Sequence, residues 1–333
     1  MIRKQEILKS FQLQQNETLI PFWELEFHLW HKFSADPFYI GSNFASLTKK
    51  EKEKAIHRNA EIISDVSHKL GFCGVTVPGG FWEVAPGVPA HYWLPDEYRF
   101  LQAELIQKYI GHDVLVIANT GGVMAMPDSD SFMDFSMQLL SYPDEIDTIA
   151  EKTFWEGEKQ IDKFLEIGIT TFFTASDLGD SNAPYFNPEQ MERFIYPYLK
   201  RWSEYIKEAG GISILHSDGN LNPYMDNLTK CGLNAMQAID PNAKMDIYSL
   251  LPEYSSKICL CGNLDVGLLI TNSPEEIYQA VYDLLSTCTN SGSFAFGCSN
   301  AIQPEVPVEN YLALVEAYNT FNPKSALENL FRL

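Results

Sequence analysis

The chain has no apolar run near the roughly 18 residues that a membrane span needs. Its first residues, MIRKQEILKSFQLQQNETL, also lack the apolar core of a secretory signal, so a cytoplasmic protein is expected. Positive charge is scarce: 24 Lys and Arg stand against 44 Asp and Glu, a formal net charge of −20. Such a surface repels a phosphate backbone, and no compact basic cluster offsets it, so nucleic acid is not an expected partner. The densest basic stretch, KKEKEK at 49–54, alternates with Glu and reads as a solvated helix face. Cysteine is sparse, six in 333 residues, and the six are not arranged as a disulfide framework; buried free thiols are the expectation. Nucleotide signatures are missing too. No GxGxxG follows the first strand-like run and no GxxxxGK[ST] occurs, which disfavours a dinucleotide-binding or P-loop sheet.

What is present is a rhythm. Eight β-branched and apolar runs, at 20–27, 73–78, 113–118, 169–175, 211–215, 234–239, 257–260 and 293–297, each end near Gly, Asp, Asn or His. Helix-length amphipathic segments lie between them, among them NAEIISDVSHKLG, DEYRFLQAELIQKYIG, PEQMERFIYPYLKRWSEYIKEAG and SPEEIYQAVYDLLSTCTNSG. Two of these open on Asn-Pro-Glu or Ser-Pro-Glu, a helix start signal, and several close on Gly. Strand and helix alternating to the end imply parallel strands with right-handed crossovers, and eight such units can close on themselves. The sequence therefore predicts a single α/β domain over 1–333, a (β/α)8 TIM barrel preceded by an N-terminal helical extension. A composition of 45% hydrophobic and 20% charged residues suits one sizeable core. Residues 80–96 and 119–150 exceed what a minimal barrel needs and are expected at the mouth, where long loops carry function.

In such a barrel the carboxyl ends of the strands converge on one mouth. His216 and Asp218 bracket Ser217 at the end of the fifth run, so their side chains point the same way, and Gly219 permits the turn that follows. Cys298 ends the eighth run and precedes Ser299 and Asn300. Nitrogen and sulfur donors beside a carboxylate suit zinc, which makes His216, Cys298 and Asp218 the expected metal set. Other strand ends add Glu24, Glu26, His28, Asn119, Asp177, Gln237, Asp240, Asn263 and Asp265. Of these mouth residues, Asp177, Asp218 and Glu26 are the candidate catalytic acids, and Asn263, Asn300 and Gln237 the candidate cofactor contacts. The His–Asp pair also has a plainer reading as a hydrogen-bonded loop, Cys298 as a core thiol, and Asp265 as a turn residue.

The ordered runs ELEFH, DLGDSNAPYFNPEQMERFIYPYLKRW, LHSDGN, CGNLD and PVENYLALVEAYNTF resemble the uroporphyrinogen decarboxylase superfamily over roughly residues 18–321. The resemblance implies a (β/α)8 barrel. The superfamily holds decarboxylases, whose arginine-rich N-terminal segment grips substrate carboxylates, and a branch of cobalamin-dependent methyltransferases. Here the early chain reads ELEFHLWHKFS, with no RxxxR, which favours the methyltransferase branch. In that branch, zinc is held by His-x-Cys at the fifth strand and a Cys near the eighth. His216 and Cys298 match two of these positions, and Asp218 replaces the third. The resemblance thus implies transfer of a methyl group between a corrinoid and a small-molecule donor or acceptor. The corrinoid is expected on a partner protein, since no DxHxxG motif occurs in this chain. A decarboxylase, or a barrel that only binds a small metabolite, are the alternative readings; monomer and homodimer both stay open.

Overall fold

Seven parallel strands follow one another round a curved sheet in chain order, and the first expected strand fills the gap between its two edges. The structure, a computed structural model, describes residues 2–14, 19–85, 88–127, 129–289 and 292–322. The sheet strands are β1 (Gly74–Thr76), β4 (Leu115–Asn119), β5 (Thr171–Ala175), β6 (Ile212–His216), β7 (Ala235–Ala238), β8 (Cys259–Leu264) and β9 (Phe294–Cys298). Every neighbouring pair is parallel. The expected first strand is present as an extended segment tied by single bridges. The Cys73 amide donates to Phe22 O (2.7 Å) on one side, while Trp23 N–H donates to Phe296 O (2.9 Å) and Phe296 N–H to Pro21 O (2.8 Å) on the other. With that segment the wall has eight positions and closes.

Local chemistry explains the helical layer. Helix α1 (Ile2–Phe11) is the N-terminal extension, and its Phe11 meets Trp23 edge-on across 6.3 Å. Helix α2 (Lys49–Leu70) starts on a Thr48/Glu51 capping box and ends at Gly71 in the left-handed conformation, with most of its KKEKEK start exposed. The two Pro-Glu start signals are capping boxes as well, Asn187 with Gln190 and Ser273 with Glu276. All six cysteines are free and buried. Among the described residues no helix is long and apolar enough to cross a membrane.

The two long segments carry elements the sequence rhythm did not separate. Residues 80–96 hold an antiparallel hairpin of β2 (Gly80–Ala85) and β3 (Val88–Trp93), and residues 119–150 hold a helix at Ser129–Ser141. The hairpin was hidden because a Gly, Pro and aromatic-rich run reads as a loop when turn residues dominate.

Candidate active site at the barrel mouth

The loops after β5 and β6 are sewn together, and this joins the acids to the histidine. Leu178 N–H donates to Ser217 Oγ (3.0 Å), Asn220 N–H to Asp180 O (2.8 Å), and Asp218 N–H to Asp177 Oδ1 (3.0 Å). Gly219 makes the approach possible. It sits at φ 94°, and a Cβ there would stand 2.2 Å from the Gly179 carbonyl carbon.

His216 is oriented by its neighbour in register, Gln237 of β7. Gln237 Nε2 donates to the carbonyls of Cys298 (3.0 Å) and Ser299 (3.3 Å), so its Oε1 faces His216 Nδ1 at 2.5 Å. Carbonyl oxygens only accept, so Oε1 requires the proton on Nδ1. In the neutral ring, Nε2 is then bare, and it lies 3.7 Å from Asp177 Oδ1.

Asp218 accepts a hydrogen bond from Asn300 Nδ2 at 2.5 Å. Burial, with Asp177 and Asp240 nearby, pushes its carboxyl up to about 6, although His216 and the Asn300 bond oppose the shift. One ligand atom from each of Asp177, His216 and Asp218 lies within 4.8 Å of the others. Asp177 is largely exposed and His216 is buried, so the trio spans the rim and the floor of the mouth.

Glu26 belongs to the same mouth. Burial raises its carboxyl, but the 3.1 Å hydrogen bond with His28 and the nearby His28, His91 and His216 outweigh that and leave it below its ordinary value. His91 comes from the hairpin, and burial lowers it. Sequence reading marked this segment as a functional loop but not this residue, because a lone His among aromatics carries no spacing signal. A cavity of about 440 Å³ is lined by Glu26, Thr76, Arg99, Asn119, Gly121 and Phe173. Arg99, also unflagged in the sequence, donates to Gln160 and leans on the Phe100 ring.

Cys298 is not brought to this group. His216, Gln237, Cys261 and Ala295 are linked by register into one row facing the barrel interior. Alternation from Ala295 puts Phe296 and Cys298 on the other face. Phe296 accordingly packs on Phe22 and Tyr318, and Cys298 N–H donates to buried Glu24 Oε2 (2.8 Å). Burial, then Glu24, drives the Cys298 thiol upward. Of the expected set, the structure brings His216 and Asp218 together with Asp177, and keeps Cys298 apart from them. Cys298 thus takes the plainer of its two readings, a core thiol, in a strand buried at all five positions.

The three candidate cofactor contacts hold protein groups. Gln237 is committed as described, Asn300 holds Asp218 and accepts from Ala301 N–H (2.6 Å), and Asn263 Nδ2 donates to Ile239 O (2.9 Å) and Met245 O (3.5 Å). Asp265 accepts from Gly267 N–H (2.9 Å), the turn role. Asn119 does the same for Gly121 N–H (3.0 Å).

One imidazole and two carboxylates fit a divalent cation. The ligand atoms lie within 4.8 Å of one another, with 3.7 Å between His216 and Asp177, so small side-chain movements would bring all three onto one cation. The donors are harder than a thiolate set.

The family profile for uroporphyrinogen decarboxylase matches residues 101–321. Uroporphyrinogen decarboxylase of Coxiella burnetii is 24% identical over 238 residues, covering 68% of this chain and 64% of that protein. That of Anaeromyxobacter dehalogenans is 26% identical over 198 residues, 59% of this chain and 54% of its own length. The chain thus spans less than two thirds of the length of these curated relatives. A solved methyltransferase from Methanosarcina mazei superposes with a TM-score of 0.67 at 17% identity, over 96% of this chain and 98% of that one. At that identity the likeness is one of fold, and it runs from end to end. With the profile covering most of a closed eight-position βα barrel, the chain belongs to the uroporphyrinogen decarboxylase family.

Proposed function

We propose that the protein is a corrinoid-dependent methyltransferase that moves a methyl group between a corrinoid protein and a small-molecule donor or acceptor bound at the mouth. The observation that carries this reading is the Asp177–His216–Asp218 group, with its bare imidazole nitrogen 3.7 Å from Asp177. When bound, a divalent ion, zinc on the first expectation, would supply Lewis acidity to the small molecule, and the corrinoid on its partner would supply or accept the methyl group.

The chain's own residues do the remainder. Gln237 sets the ring of His216, Asn300 and the sewn loops set Asp218 and Asp177, and all three would hold the ion. Methyl transfer to a thiol releases one proton at the heteroatom, and methyl removal from an ether or amine consumes one there. The hydrogen-bonded Glu26–His28 pair would take or return it.

The curated relatives' names favour decarboxylation as the rival. Against it stands the mouth, where Glu26, Asp177, Asp218 and Asp240 would face a substrate bearing many carboxylates. The test mixes purified protein with methylcobalamin and thiols or folates, and with cobalt(I) cobalamin and methyl ethers or methylamines, following the cobalt absorption bands. Spectral turnover that depends on His216 is expected. Carbon dioxide release from uroporphyrinogen, with no spectral change for any donor or acceptor, would reverse the assignment.

A further inference from the structure

Two consecutive non-glycine residues at the exit of β7 sit in the left-handed half of backbone space, Ala238 at φ 97° and Ile239 at φ 43°. That conformation is costly for any side chain and most so for a β-branched one, so the surroundings must hold it in place. The holding comes from β8. Asn263 donates to the Ile239 carbonyl (2.9 Å) and the Met245 carbonyl (3.5 Å). Its strand neighbour Gly262 pairs in register with Ala238, and a Cβ at Gly262 would come within 2.5 Å of the Ala238 carbonyl oxygen. The strained pair begins one residue after Gln237. Its exit delivers Asp240, whose Oδ2 accepts from Gly219 N–H at 3.4 Å beside Asp218.

We propose that Asn263 is a positioning residue: by clamping the 238–239 turn it fixes Gln237 in the orientation that places the His216 proton on Nδ1 and leaves Nε2 bare toward Asp177. The chain of contacts is short. Asn263 holds the Ile239 carbonyl, the held turn sets where β7 stops, and that stop sets the reach of the Gln237 carboxamide across to His216. Strain stored at Ala238 and Ile239 would otherwise relax by rotating the peptide units next to Gln237. The value of the tautomer for chemistry rests on the methyl-transfer reading above; the tautomer itself does not.

The test is nitrogen-15 spectroscopy of the histidine rings in the full-length protein, with His216 identified by the signals lost in His216→Gln. Wild type is expected to show a single tautomer protonated at Nδ1. Asn263→Ala is expected to show both tautomers and to bind cobalt(II), used as the probe metal, about tenfold more weakly. Should the alanine variant not fold, Asn263→Ser gives the same reading, since its hydroxyl is too short to reach both carbonyls. Ile239→Gly accepts the positive φ without strain, so Ile239→Gly with Asn263→Ala is expected to recover the wild-type tautomer and affinity. An unchanged tautomer and cobalt affinity in Asn263→Ala, with only a lower unfolding midpoint, would overturn the proposal. Failure of the glycine rescue would overturn it as well. Wild-type protein that transfers no methyl group while the variants shift the tautomer would sink the functional reading and leave this one standing.

Discussion

Asp218 and Glu24 are both raised toward neutrality by burial, to about 6 and about 7, and yet they lie on opposite sides of the barrel wall. Asp218 hangs in the mouth among His216, Asp177 and Asn300. Glu24 is sealed on the helix side, where it accepts from the Cys298 amide and from the Tyr311 hydroxyl (3.1 Å) of the helix Val308–Phe321. Desolvation acts on both alike, but only Asp218 has open space and a second donor set beside it. A perturbed carboxyl therefore marks a site only when the parity of its strand points it toward the mouth.

The sharpest way to break this comparison is to exchange the fates of His216 and Cys298. Loss of one ligand from a zinc site worth about 10–16 kcal/mol removes about 3–4 kcal/mol, or several hundredfold in affinity. His216→Ala is expected to lose metal on that scale by competition with a chromophoric chelator, while Cys298→Ser keeps wild-type affinity. Metal loss in the serine variant alone would return Cys298 to the site.

Glu24 sharpens the other side. The folded protein keeps its proton to about pH 7, whereas the unfolded chain releases it near 4.5. The folded state is thus favoured most below pH 4.5 and loses up to about 3 kcal/mol as pH climbs through 7. Asp218 adds a similar loss lower down, between 3.8 and about 6. Glu24→Gln should therefore lack the fall in urea midpoint that wild type shows between pH 4.5 and 7, most cleanly between 6 and 7, above the range of Asp218. A slope equal to wild type there would mean that Glu24 is not the titrating group.

Smaller effects distinguish the open acid. Because a metal must displace the Asp218 proton, cobalt(II) affinity is expected to fall by about tenfold per pH unit below 6. Asp218→Asn should bind weakly and with a shallower slope, since only the imidazole then has a proton to lose, and titration calorimetry at pH 5 and 7 would read the difference. Smallest of all, Asn300→Ala removes one charge-assisted hydrogen bond from Asp218, worth about 1.5–3 kcal/mol at most. It is expected to weaken cobalt(II) binding a few-fold while leaving the His216 tautomer as it was. A shifted tautomer would show that Asn300 acts through the ring rather than on the acid.

The fold was legible in the chain because a parallel barrel writes each strand as a short apolar run and each return as a capped helix. The runs 169–175 and 211–215 sit within a residue or two of β5 and β6, while the run at 257–260 stops short of β8, whose CGNLD end reads as a turn. His216 and Asp218 were legible for the same reason, since a strand end followed by Gly declares where its side chains emerge. The fate of Cys298 was not, because parity inside an all-buried strand depends on a register with β8 that no local pattern encodes. Gln237 and Asn263 were visible as polar residues at strand ends, but what they touch lies across the wall, on neighbouring strands and in the loop beyond them. Glu24 and Glu26 looked equivalent in ELEFH, and only the irregular backbone between Trp23 and Phe27 sends one outward and the other to the mouth.

That same irregular segment has a consequence for how the molecule is held together in time. Seven of the eight wall positions are laced to neighbours by ladders of successive hydrogen bonds, but the seam at residues 20–28 hangs on isolated bridges to Phe296 and Ile302 on one side and on the Cys73 N–H to Phe22 O bond on the other. Local opening of the wall is therefore expected to begin at this seam. The seam also joins the earliest strand of the wall to the latest, so closing the barrel needs a contact of very large sequence separation. Helix α1, which buries Phe11 against Trp23, then acts as the latch on that closure, and breathing of the mouth would begin beneath it rather than at the loops that line the site.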